Sequence, residues 1–303
     1  MSIPPAPEAA EWTEAEAPVR FEDVTQDGRL QLDGAMHALG RTGWRGFMRS
    51  PWAKPLFGQG IVPILTRLVA VGEGGPFGVD PDLKARGTFA FSHVPGAATE
   101  ASAGSGALPA PRILLGMWLE VRAPIGVVYG APPARAGELA VAARVYAEHT
   151  LTRPFAPPGE RRVTRVEVPG LEPVPGPPRE RVVPSDVATP PAGASLLDPR
   201  HVEDEARVVF GMAHTDSNQH VNSIVYLRLF EEAALRRLFV HGVKGAHLVR
   251  RAHLAYVKPS FAGDVSRIHL RAYEHEGVFG AFGAFVPEGQ SLDRATCFVH
   301  VAF

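Results

Sequence analysis

Hydrophobic and polar residues follow two different periods along this chain. In residues 223–239 the apolar positions Tyr226, Leu229, Phe230 and Ala233 fall at i, i+3, i+4 and i+7, the spacing of one helix face. Residues 207–212 before it read as a strand. Four extended stretches follow it, at 245–258, 264–275, 278–286 and 295–303, with Glu276-Gly277 and Glu288-Gly289 as turns. One helix followed by an antiparallel meander is an α+β pattern in which the sheet wraps the helix. The same order occurs earlier. Residues 19–24 read as a strand, and Asp33 is placed to cap a helix running to Met48. Extended stretches are expected at 61–72, 83–93, 113–123 and 138–151. A shift of about 189 positions lays Phe21 on Phe210, Asp27 on Asp216 and Asp33 on Asn222. We read two copies of one module.

Breakers divide the copies. Prolines 154, 157, 158, 173, 175, 177, 178, 190 and 191 make residues 154–199 an extended connector, which excludes a central strand or long helix. A shorter Ala/Gly/Ser-rich insert at 96–110 reads as a flexible loop. The expected division is a disordered tail at 1–18, a first unit at 19–153, the connector, and a second unit at 200–303. With 303 residues and 45% hydrophobic content, each unit has enough apolar surface for a core. A net charge of -1 without a long basic run argues against nucleic acid. The sequence has no apolar run of membrane-spanning length, and its acidic Pro/Ala-rich start is unlike a signal peptide, so a cytoplasmic location is expected. Cys297 stands alone, which rules out an internal disulfide or a cysteine-based zinc site.

The chemistry concentrates just before the second helix. Asp216, Asn218 and His220 alternate along a short segment, and Asn222 or Ser223 can cap the helix that follows. A carboxylate, an amide and an imidazole beside the positive end of a helix suit polarising a carbonyl and activating water. Taken by themselves, the same residues also suit a hydrogen-bonded turn that only caps the helix. Glu232 is a second candidate acid, with an i, i+4 ion pair to Arg236 as its plain structural reading. Gly40, Gly43 and Gly46 in the first copy lower helix stability; they permit close packing, make room for a ligand, or mark a frayed helix.

The run Asp216-x-Asn218-x-His220-Val221-Asn222, followed by Tyr226-Leu227 and Glu231-Glu232-Ala233, resembles the hot-dog thioesterases. Within them it is most similar to the acyl-ACP thioesterases, with the motif D-x-N-x-H-V-N-N-x-x-Y. Ala255-Tyr256-Val257-Lys258-Pro259 and Gly263-Asp264 extend the resemblance downstream. It implies a double hot-dog of class α+β, two antiparallel sheets each wrapping a central helix, with the site in the second copy. It further implies hydrolysis of an acyl thioester on acyl carrier protein or coenzyme A, without a cofactor or metal. In that reading Asp216 is general base or nucleophile, Asn218 orients water or the carbonyl, and His220 positions the carboxylate or shuttles protons. Backbone N–H groups near Asn222 and Ser223 bind the oxyanion, and Tyr226 lines the pocket or the core. Two features depart from the motif: Ser223 replaces an asparagine, and Pro259-Ser260 stand where many acyl-ACP thioesterases have Glu-Cys. The second departure keeps two rivals open, namely dehydratase- or acyltransferase-type processing of a carrier-bound acyl group, and acyl binding without catalysis. A metal site from His214, Asp216 and His220 has suitable donor types but is not implied by the resemblance. Pairing of two such chains is a further association this reading allows.

Overall fold

The computed structural model describes every residue except 1, 9, 26–27, 80–81, 96–110, 175 and 245–247. The insert expected at 96–110, and Asp27, thus lie outside the described residues. The first half contributes strands β1 (Thr13–Ala17), β2 (Val62–Gly72), β3 (Leu83–Val94), β4 (Arg112–Pro124) and β5 (Leu139–Thr152). Three two-residue strands follow: β6 (Ser195–Leu196), β7 (Val202–Glu203) and β8 (Val208–Val209). The second half then supplies β9 (Arg251–Tyr256), β10 (Val265–His275), β11 (Val278–Pro287) and β12 (Cys297–Ala302). Their order in space is β1-β3-β4-β5-β2-β9-β12-β11-β10, with β6, β7 and β8 on the free edge of β10.

Each half has the same plan. An edge strand leads into helix, the chain returns as the strand nearest the middle, and a three-stranded meander runs from the edge back to it. The middle strands β2 and β9 pair antiparallel, Leu68 opposite Leu254, so the two expected sheets join into one continuous antiparallel sheet. The double hot-dog expectation is met with that refinement. Seven of the expected extended stretches appear, as β2 to β5 and β10 to β12.

The second helix, α5 (Ser223–Val240), is unbroken because nothing in it opposes helix. It contains neither Gly nor Pro, and it buries Tyr226, Leu227, Phe230, Ala233, Ala234 and Leu238 along one stripe. Tyr226 and Phe230 meet Phe285 of β11 with ring centroids 5.1 and 6.4 Å apart. Gly242, at φ +77°, ends the helix.

The first half departs from its expected single helix. It forms α1 (Leu32–Met36), α2 (Ala38–Arg41), α3 (Gly43–Arg49) and α4 (Ala53–Gly58). The break between α2 and α3 falls at Thr42, which leaves helical geometry and donates its hydroxyl to Ala38 O at 2.8 Å. Here strand β3 comes close: a Cβ on Gly87 would lie 2.7 Å from the Gly43 nitrogen. At Gly46 a Cβ would meet Thr13 Oγ1 at 2.7 Å, so close packing governs that glycine, whereas Gly40 has open space.

Two further expectations are corrected. Residues 19–24 hold a 3-10 turn at Phe21–Asp23, and the edge strand lies earlier, at Thr13–Ala17, inside the supposed disordered tail. The tail is ordered because it covers the outer face of the sheet. Trp118 Nε1 donates to Pro4 O at 2.8 Å, and Ile3, Ala6 and Trp12 pack against Val69, Trp118 and Tyr146. The connector lies along the sheet too. It brackets His93 on the edge of β3 through Pro177 O and Arg179 N, and it stacks Arg179 over Trp118 and Tyr146. No helix among the described residues is long and apolar enough to cross a membrane.

Candidate active site

The segment before α5 is a tight turn closed by an antiparallel bridge between Thr215 and Val221. Asp216 holds it from inside. Its Oδ1 accepts the Asn218 N–H at 2.8 Å, and its Oδ2 accepts Asn222 Nδ2 at 3.0 Å. Asn222 in turn caps the helix, its Oδ1 accepting the Ile224 N–H at 3.0 Å. Asp216 is thereby fixed with respect to the helix start and remains half-buried. Each carboxylate oxygen still has a lone pair beyond these bonds. His220 does not position the carboxylate as expected; Asn222 does. Among the described residues the His220 ring makes only a long 3.4 Å contact, between Nδ1 and the neighbouring Val221 O. The Asn218 side chain is exposed on the same turn.

The first half builds the same turn from other residues, at a shift of 191 positions rather than about 189. Val24 bridges Leu30 as Thr215 bridges Val221, and the 3-10 turn Phe21–Asp23 matches Met212–His214. Thr25 N donates to Arg29 O at 2.9 Å, as Asp216 N does to His220 O at 3.2 Å. Gly28 N donates to Thr25 O, and Gln219 N to Asp216 O, both at 2.9 Å. Gln31 N donates to Asp23 O at 2.8 Å, and Asn222 N to His214 O at 2.9 Å. The two residues before the helices share one backbone conformation, φ -65°, ψ 142° at Gln31 and φ -62°, ψ 138° at Asn222. The counterparts of Asp216, His220 and Asn222 are therefore Thr25, Arg29 and Gln31, and in sequence the same shift sets Asp27, outside the described residues, against Asn218. The turn can be made without an Asp-Asn-His set.

The amides at the start of α5 are not equivalent. Val221 N–H is bound by Ser260 O at 2.8 Å, Asn222 N–H by His214 O, Ile224 N–H by Asn222 Oδ1, and Val225 N–H by Asn222 O at 3.1 Å. Ser223 N–H has no acceptor among the described residues. Of the two amides expected to face an oxyanion, only that of Ser223 is available.

Two residues missed in the sequence hold this start in place. Tyr256, the last residue of β9, donates its hydroxyl to Ser223 O at 3.0 Å. Ser260 accepts Val221 N–H with its backbone carbonyl at 2.8 Å, and the residue itself is buried. Burial pushes the Tyr226 phenol up to about 12, as befits a core aromatic packed on Phe210, Tyr256 and Phe285. A tyrosine at an inward position of a strand end needs a partner for its hydroxyl, and that need was the available signal.

Glu232 does not join the site. It is exposed, 3.8 Å from Arg236, and ten residues along the helix from Asn222, or about 15 Å. Pro259 is exposed, and no carboxylate hydrogen-bonds the His220 ring among the described residues. Asp264, the nearest acid on the following loop, accepts Phe261 N–H at 2.8 Å. His214, Asp216 and His220 do not form a cluster able to hold a metal ion. His214 Nδ1 faces Gly211 N instead. The half-buried acid of α5 is Glu231, next to the paired Asp33 and Arg228; loss of solvent pushes it up to about 7, against the Val249 N–H. A groove of about 450 Å³ lined by Glu14, Glu16, Lys84, Arg86, Glu120 and Arg122 belongs to the first half and shares no residue with the turn.

No family model matches the sequence, and no curated protein matches it significantly. Solved structures do. A Lactobacillus plantarum protein assigned as an oleoyl thioesterase has a TM-score of 0.59 at 12% identity, covering 97% of this chain and 96% of that one. The 12:0-ACP thioesterase of Umbellularia californica has a TM-score of 0.57 at 13% identity, covering 96% and 93%. An acyl-ACP thioesterase of Bacteroides thetaiotaomicron has a TM-score of 0.53 at 15% identity, covering 96% of each chain. The likeness establishes the double hot-dog fold over nearly the whole chain.

Proposed function

We propose that this protein hydrolyses an acyl thioester carried by acyl carrier protein or coenzyme A. The observation that carries the reading is the pair of matching turns. The first half makes its turn with Thr25 and Arg29, so Asp216, Asn218 and His220 are more than the fold requires. The three similar structures named above are described as thioesterases, which supports the same reaction class.

In this mechanism the thioester carbonyl oxygen accepts the free Ser223 N–H at the positive end of α5. A water held by Asp216, with Asn218 orienting it, attacks the carbonyl carbon, and its proton passes to the carboxylate directly or through His220. The C–S bond breaks as the tetrahedral oxyanion collapses. The proton returns to the departing thiolate, leaving a free acid and a thiol. Units 19–153 and 200–303 divide the work in this reading: the second carries the site and the first does not. The protein acts in the cytoplasm and needs no cofactor.

Release of free thiol from a panel of acyl-CoA and acyl-ACP substrates tests the proposal, and Asp216→Ala should abolish it. No turnover across the panel would sink it. The absence of an acid at Pro259 favours one rival, dehydratase- or acyltransferase-type processing of a carrier-bound group. Intact-mass analysis separates loss of water or acyl transfer from release of an acid.

A further inference from the structure

Gln219 stands where the first half has a glycine. Both residues donate their N–H to the carbonyl three residues back, and both occupy the left-handed region, Gly28 at φ +77° and Gln219 at φ +65°. Glycine adopts this conformation without steric cost, and a residue with a Cβ does so uncommonly. Among the described residues the only other non-glycine at positive φ is Glu276, in the hairpin turn Glu276-Gly277. Packing explains part of the difference. A Cβ on Gly28 would meet Pro76 Cβ at 2.7 Å, so the first half leaves no room for a side chain. The second half leaves the position open to solvent, yet the exposed Gln219 side chain has no hydrogen bond to another described residue. No fold contact therefore calls for a carboxamide here.

Its surroundings suggest what does. Asn218 presents a second exposed carboxamide beside it, and Asp216 and His220 flank the pair. The segment leading into the turn and the loop after β9 add the exposed apolar side chains of Met212, Val257 and Phe261. Neutral amide donors and acceptors next to an apolar rim match a ligand with secondary amides and methyl groups, rather than a charged one. Resting on the thioesterase reading, we propose that Gln219 is a substrate-binding residue that hydrogen-bonds the amide-bearing pantetheine arm of the thioester. That arm is common to coenzyme A and to carrier protein.

The test uses non-hydrolysable thioethers, S-decyl-pantetheine and S-decyl-coenzyme A, with the full chain. Gln219→Gly should weaken both by about three- to tenfold, the size of one neutral hydrogen bond. Its unfolding midpoint should not fall, and should rise by up to about 2 °C as the backbone relaxes. Gln219→Asn, which keeps a carboxamide and tolerates this φ, should recover part of the affinity. Unchanged affinity in Gln219→Gly overturns the proposal. So does a loss confined to the coenzyme A thioether, which would point to its nucleotide, or a wild type that binds neither probe. The binding arm is independent of turnover. If Gln219→Gly weakens both thioethers while no thioester is hydrolysed, the hydrolase reading falls and this one stands.

Discussion

The two halves share a backbone frame and differ in what stands on it. Around the turn they share a set of backbone hydrogen bonds, a positive φ and the extended residue before the helix. Beyond the turn they diverge. The second half continues into eighteen residues of helix, whereas the first breaks into short segments around Thr42 and its glycines. A polar turn capping a helix would ordinarily be explained by the cap alone. Here the molecule contains its own control. The first half makes the same turn without that polar set, which separates what the fold needs from what chemistry would need.

The largest expected effect contrasts Asp216 with its counterpart. Asp216→Asn keeps an acceptor for the Asn218 N–H and should lower kcat by about 10²–10⁴, the range for losing a general base. Thr25→Ala should leave steady-state hydrolysis unchanged.

Next comes the half-buried acid where the halves meet. Glu231 is held at about 7, above the ordinary carboxyl value of 4.5, by burial. Between those values the folded protein carries a proton that the unfolded chain has lost. Stability contributed by this group is therefore present below pH 4.5 and lost as pH rises through 7. The loss amounts to about 2–3 kcal/mol. Glu231→Gln should remove that slope and be the more stable protein at pH 8 in denaturant titrations. His149 and His300, held down to about 4 by burial, act in the opposite sense: their contribution is lost as pH falls from 6.5 to 4. The difference between wild type and Glu231→Gln isolates the glutamate.

The caps should differ by less. Asn222→Ala removes both the bond to Ile224 N and the bond to Asp216, and should cost about 1 kcal/mol in chemical unfolding. Gln31 makes no side-chain cap bond, so Gln31→Ala should change stability little. With an effect similar to or smaller than that of Asn222→Ala, Gly40→Ala should stabilise the first half by about 0.5–1 kcal/mol, because no atom lies within 4 Å of the added Cβ. A rise in thermal midpoint would show it.

Much of this was legible from the apolar stretches between turn signals. Strand β10 alternates buried and half-buried residues with a two-residue period, whereas β4, β11 and β12 are buried on both faces and read as near-continuous apolar runs. β1 was hidden by composition. Glu14 and Glu16 alternate outward from a Pro/Ala-rich segment whose apolar residues bury against the sheet rather than against one another. The pairing of β2 with β9 leaves no local trace, because its partners are far apart in sequence. The site was legible as residues but not as geometry. Asp216, Asn218 and Asn222 do meet in one turn, while Glu232, placed on the helix by sequence alone, faces solvent. Side-chain identities such as Phe21 with Phe210 fall two positions away from the register that the backbone keeps. What the halves conserve is a set of backbone hydrogen bonds, to which side-chain identity is blind.

The most direct measurement exchanges the chemistry and keeps the frame. A single variant carrying Asp216→Thr, Asn218→Asp and His220→Arg gives the second turn the first turn's residues at the three candidate catalytic positions. Its unfolding midpoint and its hydrolysis of an acyl thioester that the wild type turns over are then compared with wild type. The account predicts a folded protein, with its midpoint lowered by no more than about 5 °C, and hydrolysis reduced to background. Hydrolysis at the wild-type rate, or a variant that cannot fold, would contradict it.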